Sequence, residues 1–280
     1  MKKWYMIIDV AKCEYCNNCF LACKDEHMDN DWQAYTLAQP RHGHKWMHIK
    51  RKERGQYPLI DVTYLPIPCM HCDDAPCVKA ARDNAVIKRE DGIVIIDPVK
   101  AKGQDHLVKA CPYGAIWWNK EKSIPQKCTF CAHLLDQGWK YPRCVQACPT
   151  NALRALKVEE EDMRKIIQQE NLETLYPHFK TLPRVFYKNL YRFFKCFIAG
   201  TVTYENNGVK ECAEGAVVKL FLGQEAVAET TTDCFGDFKF DNLEQESGTY
   251  TLEVRFKDYP IRTVKTQLGQ SHSIEVKISA

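Results

Sequence analysis

Hydrophobic and polar positions change period twice along this chain of 280 residues. Residues 2–10, Lys-Lys-Trp-Tyr-Met-Ile-Ile-Asp-Val, predict a first strand: the apolar run is short and Asp9 closes it before Cys13. Residues 84–97 carry two β-rich runs around Asp91-Gly92 and predict a hairpin. Ala115-Ile116-Trp117-Trp118 predicts another short strand. From Val158 to Leu172 the period becomes helical, with Met163, Ile166, Ile167 and Leu172 apolar on a charged background, as on a surface helix. An aromatic segment, Val185 to Phe194, follows Pro177 and Pro183 and is expected to be a strap over the core or a partner. Beyond Cys196 the period becomes two. Val217–Leu222, Phe238–Phe240, Tyr250–Phe256 and Ser273–Ile278 alternate between turns at Asn206-Asn207-Gly208, Gly223, Gly236 and Gly248. About seven such strands predict a small antiparallel β-sandwich.

Composition changes this picture at one residue type. The net charge of +3 selects no partner, and no apolar run reaches the length of about 18 residues needed to span a membrane. The fifteen cysteines do discriminate. They fall in four runs: Cys13-x2-Cys16-x2-Cys19-x3-Cys23; Cys69-x2-Cys72-x4-Cys77; Cys111-Pro112; and Cys128-x2-Cys131 with Cys144-x3-Cys148-Pro149. Tight C-x2-C-x2-C turns wrap three thiolates around an iron–sulfur cubane, and the last cysteine of a run serves the other run's cluster. A disulfide framework belongs to small secreted chains. Structural zinc does not require the third cysteine or the trailing Cys-Pro.

The crossing rule pairs Cys13, Cys16, Cys19 with Cys148; Cys128, Cys131, Cys144 with Cys23; and Cys69, Cys72, Cys77 with Cys111. A reciprocal fourth site would need cysteines at positions now held by Ala81, Ala101, Gln104 and Leu107. One complete site is gone and its neighbour is whole. The expectation is three [4Fe–4S] clusters on twelve cysteines, with Cys196, Cys212 and Cys234 as ordinary packed thiols.

Strand, cysteine loop, helix and strand occur twice in the ferredoxin order. The second copy, about 66–123, is inserted in the first because run one pairs with run four. The expected class is α+β: two interleaved ferredoxin-like 4Fe–4S modules over 1–157, a helix and aromatic strap over 158–195, and a transthyretin-like or carboxypeptidase-regulatory-like β-sandwich over 196–280. The basic stretch Arg41–Arg54 is expected to form a solvated or partner-facing hairpin rather than a nucleic-acid site. His42, His44 and His48 lack the cysteines or carboxylates that would complete a metal shell. His71 lies inside the Cys69–Cys72 loop, where it either tunes a cluster or fills the loop. No dinucleotide fingerprint or nucleophile elbow occurs, so no catalytic residue is assigned.

Cys69-Met-His-Cys72, Gly92-Ile-Val-Ile-Ile-Asp-Pro98, Cys111-Pro-Tyr-Gly114 and Cys128-Thr-Phe-Cys-Ala-His133 resemble the iron–sulfur subunits of the dimethyl sulfoxide reductase family of molybdopterin enzymes. The resemblance covers residues 1–155. Most members keep sixteen cysteines, and this sequence departs by the missing fourth site. The three-site pattern, the Arg41–Gly55 stretch, the Pro183–Phe193 segment and the C-terminal region are similar to the small subunits of the pyrogallol–phloroglucinol transhydroxylase family. That resemblance implies a cytoplasmic heterodimer, or multiples of one. A large partner subunit would hold molybdenum on two molybdopterin guanine dinucleotides and move hydroxyl groups on polyhydroxylated aromatics. This chain would be the electron-transfer subunit. The alternative it leaves is a relay subunit of a respiratory molybdenum reductase or dehydrogenase.

Overall fold

Five consecutive buried residues, Trp4 to Ile8, make up the middle of the first strand, β1 (Lys3–Asp9). A strand buried on both faces reads as a continuous apolar run rather than an alternating one. The computed structural model describes residues 1–279. In chain order there follow α1 (Asn18–His27), β2 (His48–Gln56), β3 (Leu59–Ile67), α2 (Pro76–Ala80), β4 (Val86–Lys88), β5 (Val94–Ile96) and α3 (His106–Ala110). Then come β6 (Trp117–Asn119), β7 (Ile124–Gln126), α4 (Ala132–Asp136), α5 (Arg143–Gln146), β8 (Leu153–Val158), α6 (Glu160–Gln169) and β9 (Val185–Lys188). The chain ends in α7 (Tyr191–Phe194), β10 (Cys196–Asn206), β11 (Val209–Cys212), β12 (Val217–Leu222), β13 (Glu225–Thr231), β14 (Asp237–Leu243), β15 (Gly248–Arg255), β16 (Arg262–Leu268) and β17 (His272–Ile278). Two units separate: Met1–Lys50 with Tyr64–Leu190, and Arg51–Thr63 with Tyr191–Ala280.

In the first unit β1 is the centre of a three-stranded sheet, antiparallel to β8 and parallel to β9. The aromatic segment expected as a strap is therefore in part a sheet strand. Tyr187 is fully buried there, and its hydroxyl donates to the Pro66 carbonyl at 2.9 Å. The predicted surface helix is α6. Glu160, Glu161 and Asp162 occupy its first turn, where carboxylates oppose the positive end of the helix dipole. Its Met163 is buried against Tyr5, Ile7 and Leu172. The hairpin predicted over 84–97 is β4–β5, with Val86 opposite Ile96. Gly92 takes φ +86° at its turn, and a β-carbon there would lie 2.7 Å from Arg184 Nε. Only glycine suits both constraints. The basic stretch Arg41–Arg54 is not the solvated hairpin expected: only its second half enters a hairpin, β2 paired with β3, and His44, Trp46, Met47 and Arg54 are buried.

The second unit holds two four-stranded sheets. In one, β10 pairs with β11, β14 and β17; the other runs β13-β12-β15-β16. Alternate residues of both, among them Ile198, Val202, Phe238, Val218, Leu220, Leu252 and Val276, form one buried apolar cluster. Most pairs are antiparallel, as the alternation predicts, but β10 and β17 run parallel from Ile198–His272 to Tyr204–Ile278. A period of two reports which face is buried, not the direction of the neighbour. Arg54 anchors this unit internally: its guanidinium is almost fully buried and bonds both Asp241 oxygens (2.9 and 3.0 Å) and Asp61. No described helix is long and apolar enough to cross a membrane.

Candidate iron–sulfur sites

Three C-x2-C turns are built alike. The residue two after the first cysteine takes a left-handed backbone in each: Tyr15 (φ 59°), His71 (φ 45°) and Phe130 (φ 56°). That conformation is costly for residues other than glycine and persists where surrounding structure demands it, commonly at functional sites. Here it curls the loop so that backbone N–H groups point inward at sulfur. The Phe130 N–H donates to Cys128 Sγ at 3.3 Å, and Tyr15 does the same for Cys13. The third run repeats the theme, with the Ala115 N–H 3.4 Å from Cys111 Sγ.

The fold gathers the twelve cysteines into three sets of four within mutual electrostatic reach. Cys13, Cys16, Cys19 and Cys148 form the first. Cys23, Cys128, Cys131 and Cys144 form the second, and Cys69, Cys72, Cys77 and Cys111 the third. Cys19 and Cys23 stand one helical turn apart on α1, yet they serve different sets. The second set touches both others, through Cys19 on one side and through Cys69, whose N–H donates to Cys128 sulfur, on the other. All fifteen cysteines are free thiols. Among the described residues no three His, Cys, Asp or Glu side chains are grouped to hold a single metal ion.

Burial pushes these thiols up, and neighbouring sulfurs add to it: Cys19, Cys72 and Cys131 to about 12, Cys77 and Cys128 to about 11. Fully buried Cys23 and Cys144 move in the same direction. Four buried thiols facing one another are stable as thiolates only when cations share the space, because each ligand must lose its proton to bind metal. Two sets line small cavities. The third set lines one with Met70, His71, Val94, Ile116 and Lys127. The second set lines one with Met6, His27, Trp46, Met47 and Phe130.

Lys127 is the strongest sign of an anionic occupant. It is 2% exposed, and its Nζ donates to the carbonyls of Val94 and Cys128, the latter at 3.1 Å. No carboxylate pairs with it among the described residues. It acts instead on Cys77, Cys111 and Cys128, where its charge favours thiolate. An ammonium buried without a counter-ion costs several kcal/mol, about enough to exclude it from most interiors. A cluster ligated by four thiolates is an anion, so the residues present fit [4Fe–4S] groups.

At three of the positions where a fourth set would need cysteines, the side chains present are buried. Ala101 and Leu107 are fully buried. Gln104 accepts from the Arg82 N–H (3.0 Å) and donates to the carbonyls of Lys100 (3.0 Å) and Arg82 (3.2 Å). Of the three remaining cysteines only Cys196 is packed; Cys212 and Cys234 are exposed, against expectation. Both lie where strands end or turn, and alternation does not mark exposure there. His44 is held within the fold, its Nε2 3.1 Å from the Trp118 carbonyl. Lys127 and Trp46 were not singled out from sequence. Lys127 precedes Cys128 directly, and a lysine adjoining a cluster cysteine was a signal to weigh; Trp46 lay unmarked in a basic stretch.

A sequence profile for a 4Fe-4S dicluster domain matches residues 60–158. The chain is 50% identical over 257 residues to the pyrogallol hydroxytransferase small subunit of Pelobacter acidigallici, covering 91% of each chain. The chain belongs to that family of iron–sulfur subunits. It is 30% identical to the arsenate respiratory reductase iron-sulfur subunit of Shewanella sp. (strain ANA-3), over 65% of this chain and 94% of that one. A tetrathionate reductase subunit of Salmonella typhimurium matches at 31% identity, over 67% of this chain and 73% of that one. These more distant subunits match about two thirds of the chain, whereas the 50% match extends over nearly all of it.

Proposed function

We propose that the three sets of cysteines hold three [4Fe–4S] clusters: Cys13, Cys16, Cys19 and Cys148; Cys128, Cys131, Cys144 and Cys23; and Cys69, Cys72, Cys77 and Cys111. The observation that carries this reading is the convergence of four thiols on each of two small cavities, one of them lined by Lys127, which has no carboxylate partner among the described residues. Bound there, the clusters supply one-electron storage and relay. The chain's own groups do the rest. Left-handed turns aim N–H donors at sulfur, Lys127 offsets negative charge, and Met70, Ile116 and Phe130 keep water from the sites. Two interleaved ferredoxin-like modules, the second over about 66–123, account for the crossed pairing of runs. The two sheets of the second unit we take to close as a β-sandwich.

The chain would work in the cytoplasm beside a large subunit carrying molybdenum on two molybdopterin guanine dinucleotides. There, hydroxyl groups are transferred on, added to or removed from polyhydroxylated aromatics. Support for this chemistry is the relative named for pyrogallol hydroxytransfer, which matches over nearly the whole length. The relay reading draws on the respiratory relatives, but they match at about 30% identity over about two thirds of the chain.

Metal analysis of the native complex tests the proposal. Three cubanes predict about twelve irons per chain, and about twelve per molybdenum when the partner carries no cluster. About sixteen per molybdenum would move the complex to the relay reading. About eight irons per chain would remove one of the three assigned sites, and iron without molybdenum would remove the aromatic chemistry.

A further inference from the structure

Each of the two cysteine cavities is lined by a ring whose N–H has nothing to donate to. In the third, the Val94 N–H donates to His71 Nδ1 at 3.0 Å. That bond occupies the Nδ1 lone pair, so the ring's own proton sits on Nε2. His71 is 2% exposed and lines the cavity, and Nε2 has no partner. In the second, Trp46 is likewise 2% exposed and lines the cavity. Its Nε1–H is a donor only, and it too is unpartnered. His27 Nδ1 is a third unpartnered atom there, but no neighbour fixes its tautomer, so it carries no donor assignment.

Leaving a buried N–H unsatisfied costs the full desolvation of that group. Among the buried polar atoms that lack a partner, these two belong to residues that line the two cysteine cavities. Beyond the cysteines, the cavity walls around them are largely Met, Val, Ile, Phe and Pro side chains, which offer no strong acceptor. The acceptors that would satisfy them are the sulfur atoms of the group each cavity would hold.

We propose that Trp46 Nε1–H and His71 Nε2–H are built as hydrogen-bond donors to cluster sulfur, one for the second site and one for the third. The inference rests on the cluster assignment above. Both are positioning residues: they accept no electron, and they stabilise the more negative, reduced state of the cluster they face. Their effect is therefore to raise that cluster's potential. The two sites are adjacent, joined by the Cys69 N–H bond to Cys128 sulfur and by the edge contact of His71 on Phe130 (centroids 5.4 Å). Matched donors on both keep two neighbouring potentials from drifting apart.

The test is an EPR-monitored redox titration of the native complex with Trp46→Phe, His71→Phe and the double variant. Phenylalanine removes the donor and keeps an aromatic ring; Phe130 already sits at the equivalent left-handed position of its own turn. Each single variant is expected to move one midpoint, and a different one, to more negative values, while the other two hold. The double variant should move both. Unmoved midpoints at full iron content overturn the proposal, and so does a common shift of all three. Where a variant loses its cluster, the wild-type complex decides. With ¹⁵N-labelled tryptophan or histidine, pulsed ENDOR of the reduced clusters should show a coupled ring nitrogen with an exchangeable proton. Its absence for both labels overturns the proposal. Wild-type iron well below about twelve per chain instead overturns the cluster assignment, a separate failure.

Discussion

Arg184 grips Asp73 with two parallel hydrogen bonds, Nε to Oδ1 at 2.7 Å and Nη2 to Oδ2 at 2.8 Å. The guanidinium is 2% exposed, whereas the carboxylate is about a third open to solvent. Asp73 directly follows Cys72, so the pair ties β9's approach to the third cysteine set. Burial pushes the Asp73 carboxyl up, but Lys88 and Arg184 outweigh it and hold it below the usual range.

Removing one partner of this pair should be asymmetric. Asp73→Asn leaves a buried guanidinium uncompensated and should destabilise the first unit by about 2–4 kcal/mol. Arg184→Met leaves a carboxylate that is partly solvated and still paired with Lys88, so the loss should be smaller. Urea denaturation of the two variants checks the order. Equal losses would mean that the pair acts by packing alone.

Stability of the second unit should depend on pH through Arg54. Burial raises Asp61 and Asp241, yet Arg54 and Lys239 pull both below the ordinary carboxyl value, with Arg192 also acting on Asp61. A carboxyl depressed in the folded state stabilises it above its unfolded pKa, about 4, and that contribution is lost as pH falls through the folded value. Arg54→Met should cost about 1–3 kcal/mol at neutral pH, allowing for carboxylates that keep part of their contact with water. The difference from wild type should stay constant between pH 5 and 7 and shrink below about pH 4. Denaturation midpoints for both proteins across that range are the readout.

Gln104 should prove structural. Gln104→Ala strands the Arg82 N–H and withdraws the donor from two carbonyls, at a cost of about 1–3 kcal/mol. Iron content per chain should not change. A loss of iron without loss of stability would show that the position still serves a cluster.

The three cysteines outside the sets should be dispensable for iron. Replacing exposed Cys212 and Cys234 by serine should leave both iron and stability unaltered. Cys196→Ala, in the buried cluster of the second unit, should cost about 1–2 kcal/mol and no iron. Iron analysis and thermal melts of the variants separate these outcomes.

Much of the candidate site was legible in the chain because cysteine spacing is a local constraint. The crossing of runs one and four followed from a rule about loops, and the structure brings Cys148 to Cys13 and Cys23 to Cys128 accordingly. Exposure at strand ends was not legible, which is why Cys212 and Cys234 read as packed. The parallel neighbour of β10 was not legible either, because alternation is blind to strand direction.

By itself the sequence determined which cysteines stand in short runs, that Gly92 turns, and that the last third alternates. Each of these depends on neighbours a few residues apart. Only tertiary structure decided that Val185–Lys188 enters the first sheet, that Lys127 is buried without a carboxylate, and that Trp46 and His71 present unpaired N–H groups. Those features depend on which distant groups exclude water from a side chain and which leave a hydrogen bond unmade. Spacing along a chain carries neither.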